Sequence, residues 1–433
     1  MVIPATQASQ IYYGWKIVAA ILFILTFTSG LGFYNHAIYL NALADQPAFN
    51  VQSVSFAVSL FFLSGGVSGL FVAKFVQDHD IRICITVGAI IAWLSLSSLA
   101  LVTTFWQLLV VYTFLGIGFA ASGLIPATTL VTRWFQHKRA RALSIASTGL
   151  SLGGVVLTPL SVLIVERFGF ATGAPIIGAM YLLGVVPATW IWLRPSPESM
   201  GLVAAGNSLR AVPLAPEASA AVHAADIALD QVPTTAAADG MSFREARRER
   251  FFWCVNAAYV FLMLAQVGGI AHQYGLAREQ LTEAQTALAV AILPIASIVG
   301  RLLGGWIVDQ MSIRVFAFYM MILQAVSLAL LAGGFNVISL CIGLAIFGAT
   351  VGNLLMLQPL IIAETFGVRD YAKIFSVTNL MTSWGTATGP ALLGVVYAGA
   401  GNHYSASYLV AAAAGVLGIV IFLAGGKLHP PRR

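Results

Sequence analysis

The sequence predicts an all-α integral membrane protein, with twelve transmembrane helices arranged in two six-helix halves. Three observations predict it. Hydrophobic residues fill 59% of the 433 positions, charged residues only 9%, and mean hydropathy is +0.88, more apolar surface than a soluble core can hide. The apolar residues form continuous runs of span length, about 20 residues for ~30 Å of hydrocarbon. The basic residues fall almost wholly on alternate loops.

In chain order the spans read as 17–40, 53–76, 83–103, 105–130, 142–165 and 173–193, then 251–274, 284–308, 314–333, 337–363, 373–398 and 406–426. Period-two alternation is missing from these runs, which excludes a β-barrel. The first run has full span length and follows a single lysine, Lys16, so it reads as a retained helix and not a cleavable signal. Residues 1–193 form the N-terminal half and 251–433 the C-terminal half. Between them, 194–250 reads as a cytoplasmic linker rich in alanine and proline, closing on the charged run Phe243 to Arg250, which predicts a surface helix.

With both termini cytoplasmic, 19 of the 22 basic residues lie on the inner side, including Arg133, Lys138, Arg139 and Arg141. The net charge of +6 is therefore a topology signal, and no nucleic-acid partner is implied. Cys84, Cys254 and Cys341 occupy three different spans and read as small packing residues. No phosphate-binding glycine loop, metal-ligand spacing or nucleophile–base pair occurs, so no cofactor, metal or enzymatic activity is expected.

The halves repeat. Phe135 precedes Pro159 by 24 residues and Phe366 precedes Pro390 by 24, with Gly154 and Gly385 in register. Asp78 to Arg82 after the second span corresponds to Asp309 to Arg314 after the eighth. A direct six-span repeat places a substrate cavity between the halves near the midplane.

On these residues the chain resembles the major facilitator superfamily. Gly305 to Asp309 with Arg314 is similar to that superfamily's loop motif, with Gln310 and Ser312 departing from it. Trp134 to Gly149, Phe366-Gly367-Val368, Gly389-Pro390 and Tyr12 to Trp15 resemble segments of the monocarboxylate porters, whose bacterial relatives include oxalate–formate antiporters. The resemblance implies alternating access, a small organic anion (a mono- or dicarboxylate) as cargo, and a substrate-binding arginine in the eighth span. Bacterial inner membrane, surrounding lipid and a monomer complete the expectation.

Arg301 fits that arginine and is the only strongly ionisable residue deep in a span. A cation there costs roughly 3 kcal/mol on insertion scales and so faces a polar cavity. Its planar fork matches a carboxylate bidentately. The resemblance places an acid four residues earlier, where this chain has Ser297. The other use of Arg301 is to brace neighbouring helix carbonyls.

Tyr34, Asn35 and His36 near the end of the first span, and Gln266 and Tyr259 in the seventh, are further substrate-binding candidates. So are Asn353 and Gln358 in the tenth span and Asn379 in the eleventh, although helix-to-helix bonding is the commoner use of a buried amide. No acidic residue lies inside a span, so His36 and His272 are the candidates for proton coupling, with exchange or uniport as the other possibility. Asp78, Arg82, Asp309, Arg314, Arg139 and Glu364 are gating candidates on the inner side. Two other readings remain open: efflux of a drug or amphipathic metabolite, and a membrane sensor.

Overall fold

The computed structural model describes residues 12–135, 139–202, 240–308, 310–334, 336–367 and 370–426. Among them there is no β-strand; Gly240 and Gly367 form an isolated bridge. In the N-terminal half the helices are α1 (Tyr13–Ser29), α2 (His36–Ala44), α3 (Val51–Asp78), α4 (Ile81–Ser98), α5 (Phe105–Ser122), α6 (Leu124–Trp134), α7 (Arg139–Phe168) and α8 (Phe170–Trp192). The C-terminal half holds α9 (Phe243–Ala246), α10 (Arg250–Arg278), α11 (Glu283–Val308), α12 (Ile313–Gly333), α13 (Val337–Phe366), α14 (Tyr371–Gly399) and α15 (Tyr404–Ala424).

Two expected spans are interrupted. A π-helical turn, Gly30–Tyr34, joins α1 to α2, and Gly123 breaks the fourth span between α5 and α6. Eleven spans meet the length and hydropathy of a membrane helix, with α1 and α2 counted as one and α5 and α6 as another. The twelfth is α14, whose 29 residues are diluted by serine, threonine and glycine where it packs between α10 and α3.

The caps explain where the helices start. Asn50 and Ser53, Thr104 and Gln107, and Asn336 and Ser339 form reciprocal capping boxes at α3, α5 and α13. These satisfy orphan amides at a membrane boundary, where water is only partly available.

Both halves pack alike. In the first, α1 meets α7 and α8, α3 meets α5, and α4 meets α5 and α8. In the second, α10 meets α14 and α15, α11 meets α13, and α12 meets α13 and α15. Glycines allow the closest approaches. A side chain at Gly149 or Gly153 of α7 would strike the backbone of α1 at Leu22 or Thr26. At Gly385 or Gly389 of α14 it would strike α10 at Val260 or Leu264. Small residues four apart are the usual device where helices pack without a hydrophobic driving force.

The halves join through α3 on α14, α7 on α11, and α2 on α10. Polar ties between them among the described residues include Asp45–Arg278 at 3.0 Å, Ser55–His272 at 3.4 Å, the Ala391 amide to Ser59 at 2.9 Å, and Ser151–Ser297 at 3.5 Å. The first three lie between the midplane and the side opposite the linker, and Ser151–Ser297 lies close to the midplane. On the linker side α5 and α6 make no comparable packing against α13. The conformation is therefore closed opposite the linker.

Of the linker, 203–239 lies outside the described residues. Its end is fastened to the loop between α13 and α14: the Met241 amide donates to the Phe366 carbonyl at 2.8 Å, and the Phe243 amide to Asp370 at 2.9 Å. The expected surface helix from Phe243 to Arg250 is only the single turn α9, because α10 already begins at Arg250. Excising most of 203–239, while keeping a tether of about 20 residues that still spans a few tens of ångström, is expected to leave transport intact. Flux and membrane abundance measured together check this; lost flux at equal abundance would give the segment a functional role.

Candidate functional site

The candidate site is built where α7 and α11 cross under the π-turn. The turn carries Tyr34 inward, buried in one cluster with Leu293 and Ala265 of the other half. Gly154 makes room: a side chain there would meet both the Tyr34 ring and Pro294 of α11. Tyr34 lies within hydrogen-bonding reach of Ser151 and within electrostatic reach of Arg301. Ser297, fully buried, sits one helical turn before Arg301 and faces Ser151.

Arg301 is half-buried, and its Nε is buried with no hydrogen-bond partner. Its helix is held by Asn353, which donates at 2.9 Å to the Gly300 carbonyl and at 2.9 Å to its own Ala349 carbonyl. Asn353 thus positions the arginine from α13, pressed so closely on Gly304 that a side chain there would collide with it. The constellation is one guanidinium with three hydroxyls, from Tyr34, Ser151 and Ser297. It can take up a negative charge by charge-assisted hydrogen bonding, and nothing in it is a nucleophile–base pair.

The structure does not bring the other candidates to Arg301. His36 turns into its own half, with its ring 4.1 Å from that of Phe61 and stacked at 5.7 Å on Tyr112. Neither of its nitrogens has a hydrogen-bond partner. Asn35 donates to Ser161 at 2.7 Å and to Tyr39 at 3.2 Å, tying α2 to α7. Tyr259 donates to the Leu354 carbonyl at 3.2 Å, and Gln358 to Thr382 at 2.6 Å, both helix-to-helix bonds within the C-terminal half. Gln266 is buried with its carbonyl oxygen unpartnered. Asn379 is exposed on α14, one turn before Ser383, which faces Gly66 of α3. His272 lies between the halves, on Ser55 and the Pro390 carbonyl.

Among the gating candidates, Arg82 pairs with Asp80 at 2.7 Å, while Asp78 is exposed. The Arg82 guanidinium, seconded by nearby Arg133, holds the Asp80 carboxyl below its ordinary range. Arg314 donates to Thr365 at 3.0 Å, lies over the Phe251 ring at 4.2 Å and is in electrostatic reach of Glu364, all within one half. Asp309 and the Arg139 side chain lie outside the described residues.

Sequence reading missed Ser151 as a site residue and treated Ser297 only as a missing acid. The available signal was the spacing of Ser297 and Arg301, one helical turn apart on the same face.

Two repeated bundles of membrane-length helices meet at this partly buried cation, the build of a multi-pass membrane protein. The chain belongs to the Major Facilitator Superfamily, whose family profile matches residues 22–276 and 266–433. It is 24% identical over 369 residues to an MFS-type transporter of Gibberella moniliformis, covering 84% of this chain and 79% of that one. It is 22% identical to Monocarboxylate transporter 12 of Xenopus laevis, covering 78% and 73%. A shorter match, 28% identical over 39% of this chain and 34% of the other, is to the Aspyridones efflux protein apdF of Emericella nidulans. The fold is shared with a bacterial homolog to the human lysosomal transporter Spinster in an inward-facing and occupied conformation, with TM-score 0.64, 16% identity and 96% of each chain covered.

Proposed function

We propose that this transporter carries small organic anions, mono- or dicarboxylates, by alternating access, acting as a monomer in a bacterial inner membrane with both termini cytoplasmic. The observation that carries the reading is Arg301, with its buried Nε left without a partner beside three hydroxyls at the contact between the halves. A desolvated cation gains most from an incoming carboxylate, which supplies both its charge and its missing acceptors. The name of the Xenopus laevis relative agrees with that cargo. Neither histidine candidate stands at the site, so the geometry favours anion exchange or uniport over histidine-linked symport.

The test is uptake of a panel of labelled carboxylates into lightly buffered proteoliposomes, with external pH recorded. Saturable carboxylate uptake without alkalinisation is the expected result. Uptake with stoichiometric alkalinisation would restore symport, and no carboxylate uptake would end the anion reading.

A second reading has one observation in its favour. An apolar groove of about 450 Å³ runs between α3 and α14, lined by Phe56, Leu60, Leu63, Trp384 and Val395. It would suit an amphipathic metabolite, in keeping with the name of the Emericella nidulans relative. Transport of such a compound, unchanged in Arg301→Gln, would favour it.

A further inference from the structure

His272 sits in the part of α10 farthest from the linker, fully buried where α10 meets α2 and, through Ser55, touches α3 of the other half. Its Nε2 is 3.1 Å from the Pro390 carbonyl on α14 and 3.4 Å from the Ser55 hydroxyl on α3. A carbonyl can only accept, so Nε2 carries the proton. Ser55 gives its own proton to the Val51 carbonyl, which leaves its oxygen free to accept a share from Nε2. Nδ1 is then a bare lone pair, buried and without a partner.

This set of partners suits the neutral ring alone. In this packing a second proton on Nδ1 meets no acceptor, since the Tyr404 hydroxyl, also buried and unpartnered, is not within bonding distance, and the resulting cation would be enclosed between the halves. Around the ring stand Ser55 from α3, Pro390 from α14 and Tyr404 from α15, whose ring centroid is 5.6 Å away. Tyr397 of α14 packs tilted behind Tyr404, ring centroids 4.3 Å apart. On α10 itself Tyr274 packs with Ala37 and Ile38 of α2 and with Ala287 and Val290 of α11, while His36 of α2 turns into its own half.

The charged groups at this end include Asp45, Glu166, Arg167, Arg278, Glu279 and His403, and the three that reach this cluster, Asp45, Arg278 and Glu279, act on Tyr404, not on the imidazole. Burial holds Glu279 above the ordinary carboxylate range, opposed by the Tyr404 amide and His403. Among the described residues no carboxylate stands against His272 to neutralise a cation.

We propose that His272 is a pH-sensitive latch. Neutral, it bridges Ser55 of one half and Pro390 of the other and holds the side opposite the linker closed. Protonated, it lacks a second acceptor until that side parts and admits water, so acid drives opening. The latch concerns the conformational equilibrium and is independent of what the transporter carries.

The test is made without any substrate. Spin labels at Ala48→Cys and Ala400→Cys, in nanodisc-held protein with Cys84, Cys254 and Cys341 replaced, report the separation of the halves by electron–electron resonance. The open-to-closed ratio is expected to rise about tenfold from pH 8 to pH 5.5, across the histidine range. His272→Gln should abolish that rise, and His403→Gln, at the exposed surface, should keep it. An unchanged pH response in His272→Gln, a response lost in His403→Gln, or none in the parent protein would each overturn the latch. Nitrogen resonances of histidine in the unsubstituted protein follow the same protonation without a variant at the site. His272 should hold the Nε2–H tautomer at pH 8 and take its second proton over the range in which the halves part; a ring that stays neutral throughout contradicts the proposal.

Discussion

Arg301→Lys is expected to transport almost as poorly as Arg301→Ala, although it keeps the positive charge. The ammonium is a point charge and cannot present the planar fork that takes two carboxylate oxygens at once. It would also lose the delocalised charge that tolerates partial desolvation beside Tyr34 and Ser297. Removing one partner of a desolvated, hydrogen-bonded charge pair costs about 2–5 kcal/mol, so transport at limiting substrate should fall by roughly 30- to 5,000-fold. Flux in proteoliposomes, normalised to correctly inserted protein, checks it. Near-normal flux in Arg301→Ala would show that the arginine braces helices and does not bind cargo.

Gly154→Val should be the second large loss, by a different route. A Cβ at this position lies 2.8 Å from the Pro294 Cβ and 2.9 Å from the Tyr34 ring, and valine adds two methyls. Both neighbours belong to the contact that closes the side opposite the linker, so the added volume opposes closure. Overpacking of this kind costs about 1–3 kcal/mol, enough to move a two-state equilibrium by about 5- to 150-fold. The protein should insert normally, since the added side chain meets Pro294 of the other half and the Tyr34 ring, not the helix backbone at Thr26 and Gly30 on which Gly153 packs. Substrate flux and the label separation between positions 48 and 400 should change together. Normal flux with an unchanged separation would show that α7 and α11 accommodate the side chain.

The twelve spans were legible because hydrocarbon leaves a helix as the only way to satisfy backbone groups in a long apolar run. Arg301 was legible for the converse reason, since a lone cation there has few tolerable surroundings. His36 and Tyr34 show where legibility stopped. They are two residues apart in one span, yet Tyr34 reaches the other half and His36 faces Phe61 and Tyr112 within its own. Helical period separates their directions but cannot assign them, because in an apolar span the lipid, protein and cavity faces look alike. The π-turn at Gly30–Tyr34, closed by the Asn35 amide on the Gly30 carbonyl, further shifts the phase between α1 and α2, where Gly30 packs on Gly153. The loop motif was equally ambiguous: Arg82 had Asp78 and Asp80 within reach in sequence, and the N-cap position of Asp80 decides the pairing.

If a carboxylate meets Arg301, direct binding shows it most simply. Purified protein in nanodiscs is titrated calorimetrically with the best-transported carboxylate from the panel and with its uncharged primary amide, in parent protein and in Arg301→Gln. The prediction is saturable binding of the acid to the parent, at least about 30-fold weaker binding of the amide, and no preference between the two in Arg301→Gln. Equal affinity for acid and amide in the parent, or an acid preference that survives in Arg301→Gln, would contradict the assignment of Arg301 as the anion site.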